Sequence, residues 1–210
     1  MNLQKLFEAQ AELDKHIIEK KGLQGVNLLP NLILALQVEL GECAQEWRGF
    51  KFWSHDQKPR TEIPIDCPYC YGKGYMNHDE VFEGGEPWPC KRCDGSGVYG
   101  YKNPLLEEYV DCLHFILSIG NEINMNEVYG DNAPKPVCFD DIIDQFMSIN
   151  YDINSLYYNR HNDDINGEIY DLIFASFLGL GEMLGFTWEQ IEEAYMKKNQ
   201  ENHRRQEVGY

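Results

Sequence analysis

The chain has 210 residues, 43% of them apolar and 25% charged, which fits one soluble domain carrying at most a small insert. Eighteen Lys and Arg stand against thirty-five Asp and Glu, a net charge of −17 with a pI near 4.6. A field of that sign repels a phosphate backbone and an anionic bilayer, which excludes a nucleic-acid coat or a membrane-surface protein and requires a small anionic ligand to arrive with divalent metal.

The start, Met1–Glu8, lacks the apolar stretch of a signal peptide, and no run of eighteen apolar residues offers a bilayer span. The spacing of apolar residues predicts six helices, near 2–20, 30–50, 105–126, 138–158, 165–185 and 187–205, with strand-like alternation scarce. In the first helix Leu3, Leu6, Leu13 and Ile17 form a seam, and Gln10 stands where an apolar residue would complete it. A buried amide without a partner costs roughly 1–3 kcal/mol, so Gln10 needs a neighbouring helix or a ligand. Asp14 lies one turn on and shares its face.

The second helix has an apolar stripe of Leu32, Leu36, Leu40, Cys43 and Trp47. Beside it runs a second stripe of Glu39, Glu42 and Glu46 with no Lys or Arg between Asn31 and Arg48. Like charges at that spacing repel by a few tenths of a kcal/mol per pair, so a purely structural helix would intersperse cations.

Residues 54–103 follow, with Pro and Gly clustered and a true internal repeat of Cys-x-x-Cys-x-Gly-x-Gly. Its copies are Cys67-Pro68-Tyr69-Cys70-Tyr71-Gly72-Lys73-Gly74 and Cys90-Lys91-Arg92-Cys93-Asp94-Gly95-Ser96-Gly97. Cys67, Cys70, Cys90 and Cys93 supply four thiolates for one closed, structural Zn²⁺ with bonds of about 2.3 Å. A zinc centre supplies the order that so long a connection needs. Four of seven cysteines in such pairs favour a metal site in a reducing compartment, and hence the cytoplasm, over a disulfide framework. The repeat resembles the zinc region of DnaJ-type co-chaperones, which has four copies; no chaperone role follows from two.

The third helix places Glu108 and Asp111 three apart, beside a stripe of Leu106, Val110, Leu113 and Leu117. Two antiparallel helices presenting Glu-x-x-Glu and Glu-x-x-Asp make an oxygen-only cage, which suits Mg²⁺ or Mn²⁺ better than Zn²⁺ or Cu²⁺. Solvated acidic faces are the bland alternative. In the tail, Lys198 and Arg205 lie two helical turns apart with Asn202 between them.

These blocks together resemble the dimeric dUTPase branch of the all-α NTP pyrophosphatase (MazG-like) superfamily. The residues that carry the resemblance are Leu36–Glu42, Lys51-Phe52-Trp53, Glu108–Phe115 and the tail Lys198–Tyr210. The resemblance implies an all-α helical bundle over 1–53 and 104–210, interrupted by a zinc-knuckle lobe at 54–103, and a homodimer. It implies hydrolysis of dUTP to dUMP and pyrophosphate, and of dUDP with release of phosphate, which points to attack at the β-phosphorus. It assigns two or three Mg²⁺ ions, with Mn²⁺ as substitute, to Glu39, Glu42, Glu108 and Asp111, and the general base to Glu39. It places Lys198 and Arg205 on phosphates and Asn199 and Asn202 at the nucleotide. The uracil pocket falls to Gln10, Trp53, His114 and Phe115, with Asp14 as a further contact. A related pyrophosphatase acting on dCTP, dTTP or a modified pyrimidine is the near alternative. A non-catalytic zinc-knuckle interaction module is the distant one.

Overall fold

A computed structural model describes residues 2–76, 88–130 and 132–209, and they form seven helices with four short strands between the second and third. Helix α1 (Leu3–Lys21) starts where the Asn2 carboxamide accepts from the Lys5 amide and stops at Gly22, in the left-handed conformation. Helix α2 (Leu29–Trp47) carries Pro30 in its first turn and ends at Arg48. The buried Arg48 guanidinium turns back onto the Asp56 carbonyl at 2.8 and 3.0 Å and holds the loop that follows. Helix α3 (Pro104–Glu122) is capped by Asn103; α4 (Met125–Tyr129), α5 (Ile142–Asn159), α6 (Asp163–Met183) and α7 (Trp188–Val208) complete the bundle, the last opened by a Thr187–Gln190 capping box.

Helix α3 is the centre. It packs on α1, α2 and α7, and burial reaches around it through Leu105, Tyr109, Cys112, Leu113, Ile116 and Ile119. A single apolar stripe on it was therefore too narrow an expectation, because a helix with neighbours on three sides buries more than one face. Two more seams shift for the same reason. In α1 Phe7 is buried and Ile17 only half-buried, and in α2 Ile33 takes the core place expected of Leu32.

Two helix ends differ most from the periodicity, by four residues each. The helix expected over 105–126 stops at Glu122, since Asn124 adopts a left-handed φ of 62° before α4 begins. The helix expected from 138 starts at Ile142, because the chain before it runs extended across α6. There the Val137 amide donates to the Ala175 carbonyl, and the buried Gln145 carboxamide donates to the Val137 and Ser176 carbonyls and accepts from the Phe139 amide. Gly179 permits the crossing, as a Cβ there would stand 2.0 Å from the Val137 oxygen.

Between α2 and α3, strand β1 (Ile63–Asp66) pairs antiparallel with β4 (Val98–Lys102), and β2 (Tyr75–Met76) with β3 (Trp88–Pro89). Arg60 ties this segment to both helices: its amide donates to the Glu46 carbonyl and its carbonyl accepts from the Leu105 amide. The end of α2 thus meets the start of α3, and the two run antiparallel. Among the described residues, no single helix is long and apolar enough to cross a membrane.

Candidate active site

The antiparallel pair brings Glu39 of α2 opposite Glu108 and Asp111 of α3, and each offers a carboxylate oxygen within 4.8 Å of the others. Glu42, one turn past Glu39, is exposed and stands outside this triangle, though its charge still acts on Glu39 and Glu108. Glu46 is engaged elsewhere, by the Arg60 guanidinium at 3.3 Å. From α7, the Lys198 ammonium donates to Asp111.

Burial, then repulsion between neighbours, raises the pKa of Glu39 and takes Glu108 up to about 7; burial raises Asp111 too, against the pull of Lys198. Carboxylates crowded enough to retain protons are a set that a hard dication relieves, and an oxygen-only set fits Mg²⁺ or Mn²⁺. A carboxyl whose pKa is higher folded than unfolded adds stability at low pH, and that stability is lost as pH rises through about 7. Metal-free protein therefore melts lower at pH 8 than at pH 6, and Mg²⁺ raises the melting temperature more at pH 8. Calorimetry with and without Mg²⁺ checks this; an Mg²⁺ shift independent of pH contradicts it.

Next to the triangle is a cavity of about 570 Å³ between α1, α3 and the start of α2, lined by Gln10, Asp14, His114, Phe115, Ser118 and Asn202 among others. His114 follows Asp111 by one turn of α3, and Asn202 follows Lys198 by one turn of α7. The cavity therefore begins one helical turn past Asp111 on α3 and one turn past Lys198 on α7.

Its polar wall is a closed set of hydrogen bonds. Gln10 Nε2 donates to Asp14 Oδ1 at 2.8 Å and to Ser118 Oγ at 2.9 Å, and the Ser118 hydroxyl donates to the same Asp14 oxygen. Gln10 Oε1 accepts from Tyr195 Oη at 2.8 Å and from His114 Nδ1 at 2.7 Å. His114 stacks on the Tyr195 ring at 4.2 Å and is 5% exposed; its Nε2 is buried without a partner. Burial, aided by the Lys198 charge, pushes the imidazole down to about 3, so the ring is neutral at working pH. Burial pushes Asp14 up to about 6 against the bonds from Gln10 and Ser118, so above that pH it is a carboxylate.

The other expected site residues scatter. Asn199 is buried and donates to the Ala9 carbonyl, joining α7 to α1. Arg205 lies 3.5 Å from Asn202 and 3.4 Å from Glu201. Trp53 is not brought to the cavity; it is 66% exposed in the loop past α2, edge-on to Phe50 and Phe52. Ser118 and Tyr195 escaped the sequence reading, although a lone serine on the buried face of α3 and a tyrosine three residues before Lys198 were the available signals.

The cysteines form the second cluster. Cys67, Cys70, Cys90 and Cys93 converge, with Sγ atoms 3.9 Å apart for Cys67–Cys90 and 3.8 Å for Cys70–Cys93. A tetrahedron of zinc–sulfur bonds near 2.3 Å has edges of about 3.8 Å. The amides of Gly74 and Gly97 each donate to a sulfur at 3.3 Å, as a thiolate invites. Those glycines also let the knuckles touch: a Cβ on Gly74 would lie 2.4 Å from the Gly95 carbonyl, and one on Gly97 2.3 Å from that of Gly72. The cluster is consistent with a zinc knuckle.

A family model described as dUTPase matches residues 2–66 and 100–210, leaving the cysteine repeat outside the match. No curated protein and no solved structure matches the chain.

Proposed function

We propose that this chain, which belongs to the dUTPase family, carries out the hydrolysis of dUTP and dUDP to dUMP in the cleft formed by α1, α2, α3 and α7. The observation that carries the reading is the adjacency of the carboxylate triangle to a cavity with a neutral, hydrogen-bonding wall. Glu39, Glu108 and Asp111 would hold divalent metal, with Glu42 swinging onto it from its exposed position. Two or three Mg²⁺ ions bound there would neutralise the phosphate chain and act as Lewis acids on it.

The chain's own groups do the rest. Glu39, whose proton affinity burial and then its carboxylate neighbours raise, takes the proton of the attacking water. Lys198 and Arg205 face the phosphates, and Asn202 the sugar or base. Gln10, Asp14, His114 and Phe115 enclose uracil, Phe115 by its ring face. Asn199 keeps α7 docked on α1, which sets the reach of Lys198 and Asn202.

Two further assignments belong to this proposal. Residues 1–53 and 104–210 form the catalytic core, and 54–103 an inserted lobe around one structural Zn²⁺, whose thiolates suit the reducing cytoplasm. The protein is a homodimer. Supporting that, α2 exposes Leu34 and Val38 and α5 exposes Met147, Tyr151 and Tyr158, and Leu34 and Tyr158 line one groove.

A release screen tests the function. With Mg²⁺, dUTP should yield pyrophosphate and dUDP phosphate, with dCTP at least about tenfold slower, the loss for one mismatched hydrogen bond. Faster turnover of dCTP or dTTP favours the alternative pyrimidine, and no release from any nucleotide favours an interaction module.

A further inference from the structure

The polar wall of the cavity has a direction, and Asp14 sets it. An ionised carboxylate has no proton to give, so both groups that reach Asp14 Oδ1, the Gln10 amide nitrogen and the Ser118 hydroxyl, must donate. Ser118 has only that one proton, so toward Gln10 it can only accept, and Gln10 Nε2 donates to it as well. The carboxamide is thereby locked with its oxygen toward His114 and Tyr195. That oxygen also has no proton. The imidazole proton must therefore sit on Nδ1, which leaves Nε2 a bare lone pair, unpartnered and covered, in a residue that lines the cavity, so that a base meets it by parting the side chains around it.

We propose that Asp14 is a positioning residue for base selection, which, through Gln10, fixes the His114 tautomer and so holds at Nε2 an acceptor that only a base with a facing N–H can satisfy. This rests on the reading that the base occupies the cavity. Uracil presents N–H at position 3, as thymine does, whereas cytosine presents a lone pair there. Two lone pairs facing each other without water leave both unpaired, so cytosine is rejected. Gln10 then acts on the base at one remove, since its four hydrogen bonds all run to the protein. Asn at position 14 would remove the direction, because its own NH₂ can face the Gln10 oxygen and let the carboxamide turn over.

The test is nitrogen NMR of ¹⁵N-labelled protein at pH 8, where protonated and bare ring nitrogens are distinct, combined with dUTP and dCTP turnover. Wild type should show a single His114 tautomer with Nδ1 protonated. Asp14→Asn should populate both tautomers and lower the dUTP-over-dCTP preference about tenfold or more, the equivalent of one hydrogen bond. Tyr195→Phe, which leaves Asp14 and Ser118 in place, should keep the wild-type tautomer. Circular dichroism melts establish that each variant is folded. An unchanged tautomer in Asp14→Asn, or an equally mixed one in Tyr195→Phe, overturns the relay even where wild type prefers dUTP. Wild type with no preference for dUTP overturns the placement of the base in the cavity, even where the tautomer shifts as expected.

Discussion

Asp111→Asn and Glu39→Gln each lower dUTP turnover by about a hundredfold or more, while the fold stays intact. Each swap keeps shape and volume and removes one charged oxygen from a triangle whose members lie within 4.8 Å of one another. Losing such a ligand forfeits several kcal/mol of charge stabilisation of the phosphate chain, and every 1.4 kcal/mol is about tenfold in rate. Asp111→Asn also leaves Lys198 without its anion. Glu108→Gln separates chemistry from folding. It removes the carboxyl held up to about 7 by burial and by three like charges, so the metal-free variant should melt above wild type at pH 8 while its turnover falls. Kinetics with saturating Mg²⁺ beside metal-free melts make both measurements. Near-normal rates in Asp111→Asn and Glu39→Gln place the metal elsewhere.

The other large effect is expected at the cysteines. Purified, reduced protein should carry one Zn²⁺ per chain, and Cys67→Ser combined with Cys90→Ser should lose it. Structural zinc contributes on the order of 10 kcal/mol to a site of this kind. Among the described residues, the knuckles' apolar core consists of the cysteines and Met76, too little to replace the metal. Residues 63–76 and 88–102 should become open to protease while the helical circular dichroism signal is retained, because the bundle's own core includes none of these residues. Metal analysis and limited proteolysis measure this; equal zinc in wild type and double variant rejects the site.

What could be read from the sequence is local in the chain. Glu39 with Glu42, Glu108 with Asp111, and each Cys-x-x-Cys are pairs three apart, so helix or knuckle geometry alone brings them together. The long helices were legible because α1, α2, α3, α5, α6 and α7 each repeat apolar residues at helical spacing over eighteen positions or more. The remainder depends on contacts between distant segments. Gln10 lies 104 positions from His114 and 185 from Tyr195, so the amide's partners were not visible, only its need for them. The extended run before Ile142 depends on Gln145 and Gly179, neither of which marks a crossing by its own spacing. Glu42 and Glu39 look equivalent on a helical wheel, and only the position of α3 distinguishes the one inside the triangle from the one in solvent.

The Arg60 tie has a bearing on how such a chain is assembled. Its amide and carbonyl join the end of α2 to the start of α3, and from there two strands run out side by side, Ile63 opposite Lys102. A graft whose two ends are already neighbours leaves its host's register unaltered whether it is long, short or missing. The helices need from it only that Glu46 and Leu105 stay joined through one residue, so everything beyond Ile63 and Lys102 is free to lengthen, shorten or be exchanged without moving Glu39 relative to Asp111.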